Sequence, residues 1–135
     1  MALKFNPAAI KDRTRKAVMR GIIRGTEAVR NEAISLILNT PKTGRLYRRA
    51  SVFHHASGPG EPPASDTGRL VNSIVTTYDA TKLSGTVVAG TAYAPYLEYG
   101  TQTMEPRPFL RPALANKRAE VVTYISEELN REFKT

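Results

Sequence analysis

The sequence predicts a single α+β domain, in which a long N-terminal helix and a C-terminal helix pack against a small antiparallel sheet. Apolar residues recur at helical spacing near both ends of the chain, and two short runs rich in β-branched residues lie between them. A long Pro/Gly-rich arm without periodicity separates the first helix from the sheet. At 135 residues the chain is long enough for one domain with a substantial core, which we expect to span residues 1–135.

The N-terminal helix is predicted over residues 8–38. Pro7 suits the first turn, and Asn39-Thr40-Pro41 ends the helix because proline and the residue before it disfavour helical backbone. Gly21 and Gly25 each weaken the helix by about 1 kcal/mol relative to alanine, but two glycines four residues apart also let another backbone approach closely. The apolar positions, at steps of three, four and seven, are Val18, Ile22, Val29, Ala33, Leu36 and Ile37.

Residues 39–66 are predicted to form an extended arm or loop. Residues 45–49 and 52–55 suit a short hairpin, whereas residues 58–63 (GPGEPP) have no periodicity and cannot enter the interior of a sheet. A connection of this length in so small a domain is usually functional or mobile. We therefore expect it to project from the body of the domain.

The sheet and a short helix are expected within residues 67–111. Asp66 or Thr67 suits the cap of a short helical turn before the first strand. Strands are expected at residues 74–78 and 86–89, which are rich in β-branched side chains and flank a turn.

A second short helix and the C-terminal helix complete the chain. One or two helical turns over residues 93–100 are expected to end at Gly100, and a proline-rich extended stretch leads into a last helix over residues 112–133. The apolar face of that helix is predicted to consist of Leu114, Val121, Ile125, Leu129 and Phe133. Glu127 and Glu128 are assigned to its solvated face.

The positive charge is concentrated in the first third of the chain. The whole chain carries a formal charge of +8, and residues 1–49 alone hold twelve basic and three acidic side chains. This asymmetry fits a contact with DNA or with an acidic protein surface, and equally fits a solvated helix face. The candidate DNA-channel or acidic-partner contacts are Arg13, Arg15, Lys16, Arg20 and Arg24.

The sequence offers little catalytic chemistry. The absence of cysteine removes disulfides, thiolate metal sites and cysteine nucleophiles, and the adjacent pair His54 and His55 would point to opposite faces of a strand. Ser57, His54 and Asp66 name a hydrolase triad, but they lie in a segment that cannot preorganise one. Glu98 and Glu105 are the only carboxylates near a compact apolar feature. We expect neither enzymatic activity nor a metal or cofactor, and no apolar stretch suggests membrane insertion.

Five segments, in one order, resemble the small neck proteins of long-tailed bacteriophages and prophages, specifically the lambdoid "gene-product-ten-like" tail components. The resemblance covers over half of the chain. The segments read GRLYRR at residues 44–49, ASGPGEPPA at 56–64, TGRL at 67–70 followed by SI at 73–74, AYAPYLEYGT at 92–101 and RPFLRPAL at 107–114.

This resemblance implies a non-enzymatic structural protein that completes the tail and joins it to the DNA-filled head. Related neck proteins are small α+β domains that form homo-oligomeric rings, commonly six-fold, around the DNA channel. The implied neighbours are a head–tail adaptor or stopper on one side and a tail terminator or tail tube on the other, with assembly in the host cytoplasm. The N-terminal helix carries none of the shared motifs.

A ring subunit needs rigid surfaces that meet its neighbours, and the matching segments supply tyrosines and prolines for that purpose. The candidate subunit or partner contacts are Arg45, Tyr47, Arg48, Arg49, Tyr93, Tyr96, Tyr99, Pro108 and Phe109. Alternatively, the tyrosines are core residues beside the sheet, and the prolines only stiffen the approach to the last helix.

Three other functions stay open at this point. A tail terminator, which caps the tail tube, would share fold and size. A small basic DNA-binding protein would show salt-sensitive affinity for DNA. A small hydrolase would need a histidine or carboxylate whose removal abolishes activity but spares assembly.

Overall fold

The computed structural model describes residues 4–49, 51–65 and 68–134, and it confirms the α+β class. The proposed cap at Asp66 or Thr67 lies outside the described residues. In chain order the elements are α1 (Pro7–Asn39), β1 (Leu46–Arg49), β2 (Val52–His55), α2 (Arg69–Ser73), β3 (Ile74–Asp79), β4 (Ser84–Ala89), α3 (Ala94–Tyr99) and α4 (Leu110–Glu132).

Helix α1 begins and ends within one residue of its predicted bounds. The side chain of Asn6 caps it by accepting a hydrogen bond from the backbone N–H of Ala9 at 3.2 Å, and Pro7 occupies the first turn. An N-cap of this kind satisfies a donor that the helix itself leaves unpaired.

Helices α1 and α4 are antiparallel and in close contact at the two glycines where the sequence allowed another backbone to approach. A Cβ at Gly21 would lie 2.5 Å from the Cα of Ile125, and one at Gly25 would lie 2.8 Å from a methyl group of Val121. Both glycines are buried. The absence of their side chains therefore allows α4 to lie against the backbone of α1.

The four strands form two separate antiparallel pairs, β1–β2 and β3–β4, so the single predicted sheet is divided into two. The segment between β2 and α2 separates them. In the second pair Ile74 faces Ala89 and Asp79 faces Ser84. One face packs on α1. A Cβ at Gly85 would collide with the side chain of Thr26, so the strand approaches the helix closely at this glycine.

The hydrophobic core lies where α1 meets the central part of the chain. Phe109, Ile37 and Ile74 are its largest fully buried side chains. The remaining members of the core cluster are Val29, Ala33, Leu70, Ala94 and Ala113. The buried position of Phe109 corrects its assignment as an interface residue, since it has no surface left for a neighbouring subunit.

The side of α4 that faces α1 agrees with the predicted apolar face at Val121 and Ile125 but not at its two ends. Leu114 is 54% exposed, whereas Glu128, assigned to the solvated face, is buried. Since each residue advances a helix by about 100°, a shift of one position moves a side chain to another face. The stripe that faces α1 runs through Ala113, Lys117, Val121, Ile125 and Glu128.

The predicted arm consists of a hairpin and a segment that returns to the body. The hairpin forms as expected, and its register places Leu46 opposite His55 and Arg48 opposite Phe53. The glycine- and proline-rich segment after it does not project, because the backbone N–H of Gly60 donates to the carbonyl of Pro106 at 3.0 Å.

Candidate assembly interface

An open apolar groove of about 520 Å³ lies between β4 and α4, with α1 as its floor. Its lining includes five consecutive residues of β4 and the preceding turn, and none of β3. The groove therefore follows the outer edge of β4, which pairs with no third strand in the described part of the chain. The lining residues are Ile22, Gly25, Thr26, Val29, Leu83, Ser84, Gly85, Thr86, Val87, Leu110, Arg111, Leu114 and Val121.

The rim of the groove is formed by Leu114 and by Arg111, whose guanidinium lies 4.9 Å from the ring centroid of Tyr99. Tyr99 is 68% exposed. Cation–π contacts of this kind hold an arginine flat against an aromatic ring. Tyrosine and arginine are also the residues that most often dominate binding energy at protein interfaces. The rim thus has the composition of a contact surface.

Glu98 holds this rim in place from below. Its buried carboxylate accepts backbone N–H bonds from Phe109, Leu110 and Arg111 at 2.8, 3.0 and 2.8 Å. It also accepts a bond from the Arg111 side chain at 3.1 Å. The carboxylate therefore satisfies the free N–H groups at the start of α4 and complements the positive end of its dipole.

Burial alone would raise the pKa of Glu98, because it disfavours the charged form. The backbone N–H groups and the Arg111 guanidinium outweigh that effect, so the pKa of Glu98 lies below its ordinary value. The group is thus an ionised structural acceptor at neutral pH. This is the opposite of what a general acid requires.

The tyrosines of the α3 segment are surface residues, which decides against a place in the core. Tyr93 is 38% exposed and Tyr96 is 57% exposed, and together with Tyr99 they form an aromatic surface along α3. Gly100 ends this helix with a φ of 78°, as predicted. Pro108 is half-buried beside the core, in the extended lead-in to α4.

The β1–β2 hairpin presents one exposed face. Leu46 and Phe53 share this face and are 52% and 65% exposed. The opposite face holds Tyr47 and His54, whose rings stack with centroids 5.7 Å apart. Of the basic interface candidates, Arg45 and Arg48 are exposed, and the side chain of Arg49 lies outside the described part of the structure.

The base of the hairpin is closed by two hydrogen-bonded clusters. The Arg107 guanidinium donates to the carbonyl and the hydroxyl of Ser57, the latter at 2.8 Å. Glu61 accepts bonds from the hydroxyl and backbone N–H of Thr43, and from the backbone N–H of Gly58. These bonds, above all the one from the Thr43 hydroxyl, hold the pKa of Glu61 at about 2.

The five candidate DNA contacts on α1 all have partners within the chain. Arg15 donates to the carbonyls of Ala80 and Thr81 in the β3–β4 turn, and Lys16 pairs with Asp12 at 3.1 Å. Within the described part of the chain, the remaining three arginines form five ion pairs, which join α1 to the end of α4. They are Arg13 with Glu132, Arg20 with Glu128 and Glu132, and Arg24 with Glu127 and Glu128.

Glu128 is the centre of this charged seam. Its carboxylate accepts bonds from Arg20 at 3.0 Å, Arg24 at 3.1 Å and Arg131 at 3.2 Å. The bond from Arg20 is the main reason that the pKa of Glu128 lies below its ordinary value. A carboxylate enclosed by three guanidinium groups stays ionised, and α4 therefore supplies acidic partners to the basic helix within the same chain.

The hydrolase triad is not assembled in the described part of the chain. The Ser57 hydroxyl accepts a bond from Arg107, and the ring of His54 is stacked on Tyr47. Asp66 lies outside the described residues. No cluster of three or more potential metal ligands occurs among the residues described, and none of their helices is long and apolar enough to span a membrane.

Sequence reasoning noted Glu98 but missed Arg111 and the groove. The two residues lie thirteen positions apart, on different helices, so no local periodicity relates them. They lie in two of the five segments quoted for the sequence resemblance, at residues 92–101 and 107–114. Among protein families, curated proteins and solved structures, comparison found no match to this chain.

Proposed function

We propose that the chain is a non-enzymatic structural subunit of the neck of a long-tailed phage or prophage virion. In this role it forms a homo-oligomeric ring that completes the tail and joins it to the head. The proposal combines the resemblance of the five segments with the surfaces described above. The ring's neighbours in the virion would be an adaptor or stopper towards the head and the tail terminator or tube towards the tail.

The observation that carries the proposal is the concentration of exposed apolar and aromatic side chains on a small domain. The rim residues Tyr99, Arg111 and Leu114, the tyrosines of α3 and the exposed hairpin face offer several contact surfaces. Monomeric proteins rarely expose extended apolar patches without a binding role. The β1–β2 hairpin is a two-stranded sheet, which is marginally stable on its own, and further strands from a neighbour would support it.

The charged seam between α1 and α4 reduces the support for a DNA-binding function. Arg13, Arg20 and Arg24 are engaged by glutamates of α4, so their charge is largely neutralised within the subunit. DNA binding by phosphate contacts would require cationic side chains that release counterions. DNA in the channel would then meet this seam only weakly and without sequence specificity.

Electron microscopy of particles from a phage or induced prophage that lacks this gene tests the proposal. We expect DNA-filled heads beside separate tails of normal length. Tails of uncontrolled length would identify a tail terminator instead. Normally joined virions would refute a neck function, and salt-sensitive DNA affinity of the subunit would then become the leading alternative.

Complementation of the deletion separates the interface from the fold. The double variant Tyr96→Ser/Tyr99→Ser removes two exposed rings and is expected to fold but to restore few joined particles. Val122→Ser, a matched control at a position 61% exposed on α4, should restore infectivity. Full rescue by the tyrosine variant would show that α3 does not contact a neighbour.

A further inference from the structure

We propose that the β4–α4 groove of one subunit receives the β1–β2 hairpin of a second copy. The inference rests on the proposed function, because it takes the neighbour to be the next subunit of a ring. It assigns the contact to two specific surfaces: the groove with its rim residue Leu114, and the hairpin face with Leu46 and Phe53.

The first argument is the unpaired edge of β4. An edge strand presents a row of unpaired N–H and C=O groups, which is a template for a strand from another chain. The groove runs along this edge and is lined mainly by apolar side chains. An added strand would therefore find backbone partners on one side and apolar contacts below, as in binding by strand addition.

The second argument is that the chain itself carries a suitable strand pair. The hairpin strands are four residues long and β4 is six, so a hairpin strand fits within its length. Leu46 and Phe53 are exposed on one face. Their respective cross-strand neighbours on that face are His55 and Arg48, so the face offers the groove two apolar and two polar side chains. Docking would join two separate two-stranded sheets into one four-stranded sheet across the subunit boundary, and the added strands would stabilise the β1–β2 hairpin, which is marginally stable alone.

The third argument is symmetry. No residue of the hairpin lines the groove, so the two surfaces are distinct places on one subunit. Two distinct complementary surfaces produce head-to-tail contacts, which close into a ring when the rotation permits. A two-fold dimer would instead exchange both hairpins reciprocally, and its covalent products would stop at two chains.

The area of the contact indicates what else must take part. A largely exposed phenylalanine offers on the order of 100 Å² to a neighbour. The hairpin therefore covers only part of the roughly 800 Å² per partner that a stable interface buries. The adjacent rim of Tyr99 and Arg111 is continuous with the groove through the Arg111 side chain and supplies further area.

The absence of cysteine makes the contact directly testable by disulfide trapping. A disulfide requires Cα atoms within about 7 Å, so only a close pair is trapped. Leu114→Cys is combined in one chain with either Phe53→Cys or Leu46→Cys, and the purified full-length protein is oxidised at high concentration. We expect a reducible ladder of covalent oligomers from at least one double variant. The corresponding single variants, mixed, should yield only dimers.

The matched control replaces Leu114→Cys by Val122→Cys, which is similarly exposed but lies outside the groove. If neither double variant cross-links more strongly than this control, the inference is wrong. A wild-type protein that stays monomeric at the same concentration would also overturn it. Phe53→Ser should weaken self-association at least tenfold in sedimentation analysis, with an unchanged circular dichroism spectrum. Unchanged association would count against the hairpin.

The two proposals fail in different experiments. If gene deletion leaves full heads beside separate tails but neither double variant is trapped, the neck function stands and the hairpin–groove contact is wrong. If the ladder forms but deletion leaves normal virions, the contact is correct and the neck function is wrong.

Discussion

Replacing Glu98 tests whether one buried carboxylate organises the start of α4 and the rim of the groove. Glu98→Ala removes the acceptor for three backbone N–H groups, at 2.8 to 3.0 Å, and for the Arg111 guanidinium. Glu98→Gln keeps the shape and one acceptor oxygen but loses the charge. Both changes should therefore destabilise the domain, the alanine variant more strongly.

The magnitude follows from the contacts. Losing an N-terminal cap costs about 0.5–2 kcal/mol, and an anion at a helix N-terminus adds about 0.3–1 kcal/mol or more when partly buried. A hydrogen bond to a charged group is worth about 1.5–3 kcal/mol, but bonds within one cluster are not additive. Water reaches the exposed Arg111 side chain once the carboxylate of Glu98 is gone. We expect Glu98→Ala to lower the free energy of unfolding by about 2–4 kcal/mol and Glu98→Gln by about 1–3 kcal/mol.

Urea unfolding followed by circular dichroism measures these differences. Glu105→Gln is the matched control, because Glu105 is an exposed carboxylate of the same connection and should change stability by less than about 0.5 kcal/mol. Since the pKa of Glu98 is lowered in the folded state, its contribution is complete above the ordinary carboxylate pKa and is lost as the pH falls towards the folded value. Glu98→Gln should accordingly flatten the acid limb of the stability curve. If Glu98→Ala were as stable as the control, the assigned role would be wrong.

Three further predictions concern helix packing, the hairpin base and self-association. Gly21→Ala gains about 1 kcal/mol of helix propensity, but its methyl group would collide with the backbone of Ile125. Thermal unfolding should therefore show a net loss of about 1–3 kcal/mol in the free energy of unfolding. A more stable variant would contradict the close packing. The amide chemical shift of Gly58 should titrate with a pKa of about 2 and become pH-independent in Glu61→Gln, whereas a midpoint near 4.5 would show that the hairpin base is open in solution. Tyr96→Ala should leave the unfolding midpoint within a few degrees of the wild type but reduce oligomer formation in native mass spectrometry; an unchanged oligomer would remove this residue from the interface.

Local chemistry predicted most of the elements. Helix α1 was recognisable from the spacing of its apolar residues and from Pro7, and the strands β3 and β4 from their β-branched residues. Gly100 ends α3 because it adopts a positive φ that other residues disfavour. Each of these signals acts within a few residues of the chain, which is why it can be read without the tertiary structure.

Which side of each element faces the core was harder to predict from the sequence. Leu114 was assigned to the buried face of α4 and Phe109 to an interface, and the structure reverses both assignments. The helix pattern fixes which residues share a face, but not which face meets the core. That choice depended on Gly21 and Gly25, which allow α4 to lie against α1 in one orientation.

The sequence by itself determined the α+β class, the order of the elements and the uneven distribution of charge. Only the tertiary structure decided which carboxylates pair with the arginines of the basic helix, because Arg20 and Glu128 are 108 residues apart and no local rule pairs them. The same holds for Glu98 at the start of α4 and for the groove beside β4, since both arise where distant segments are packed together. Short-range preferences are set by neighbouring residues along the chain, whereas surfaces and buried charges are set by neighbours in space.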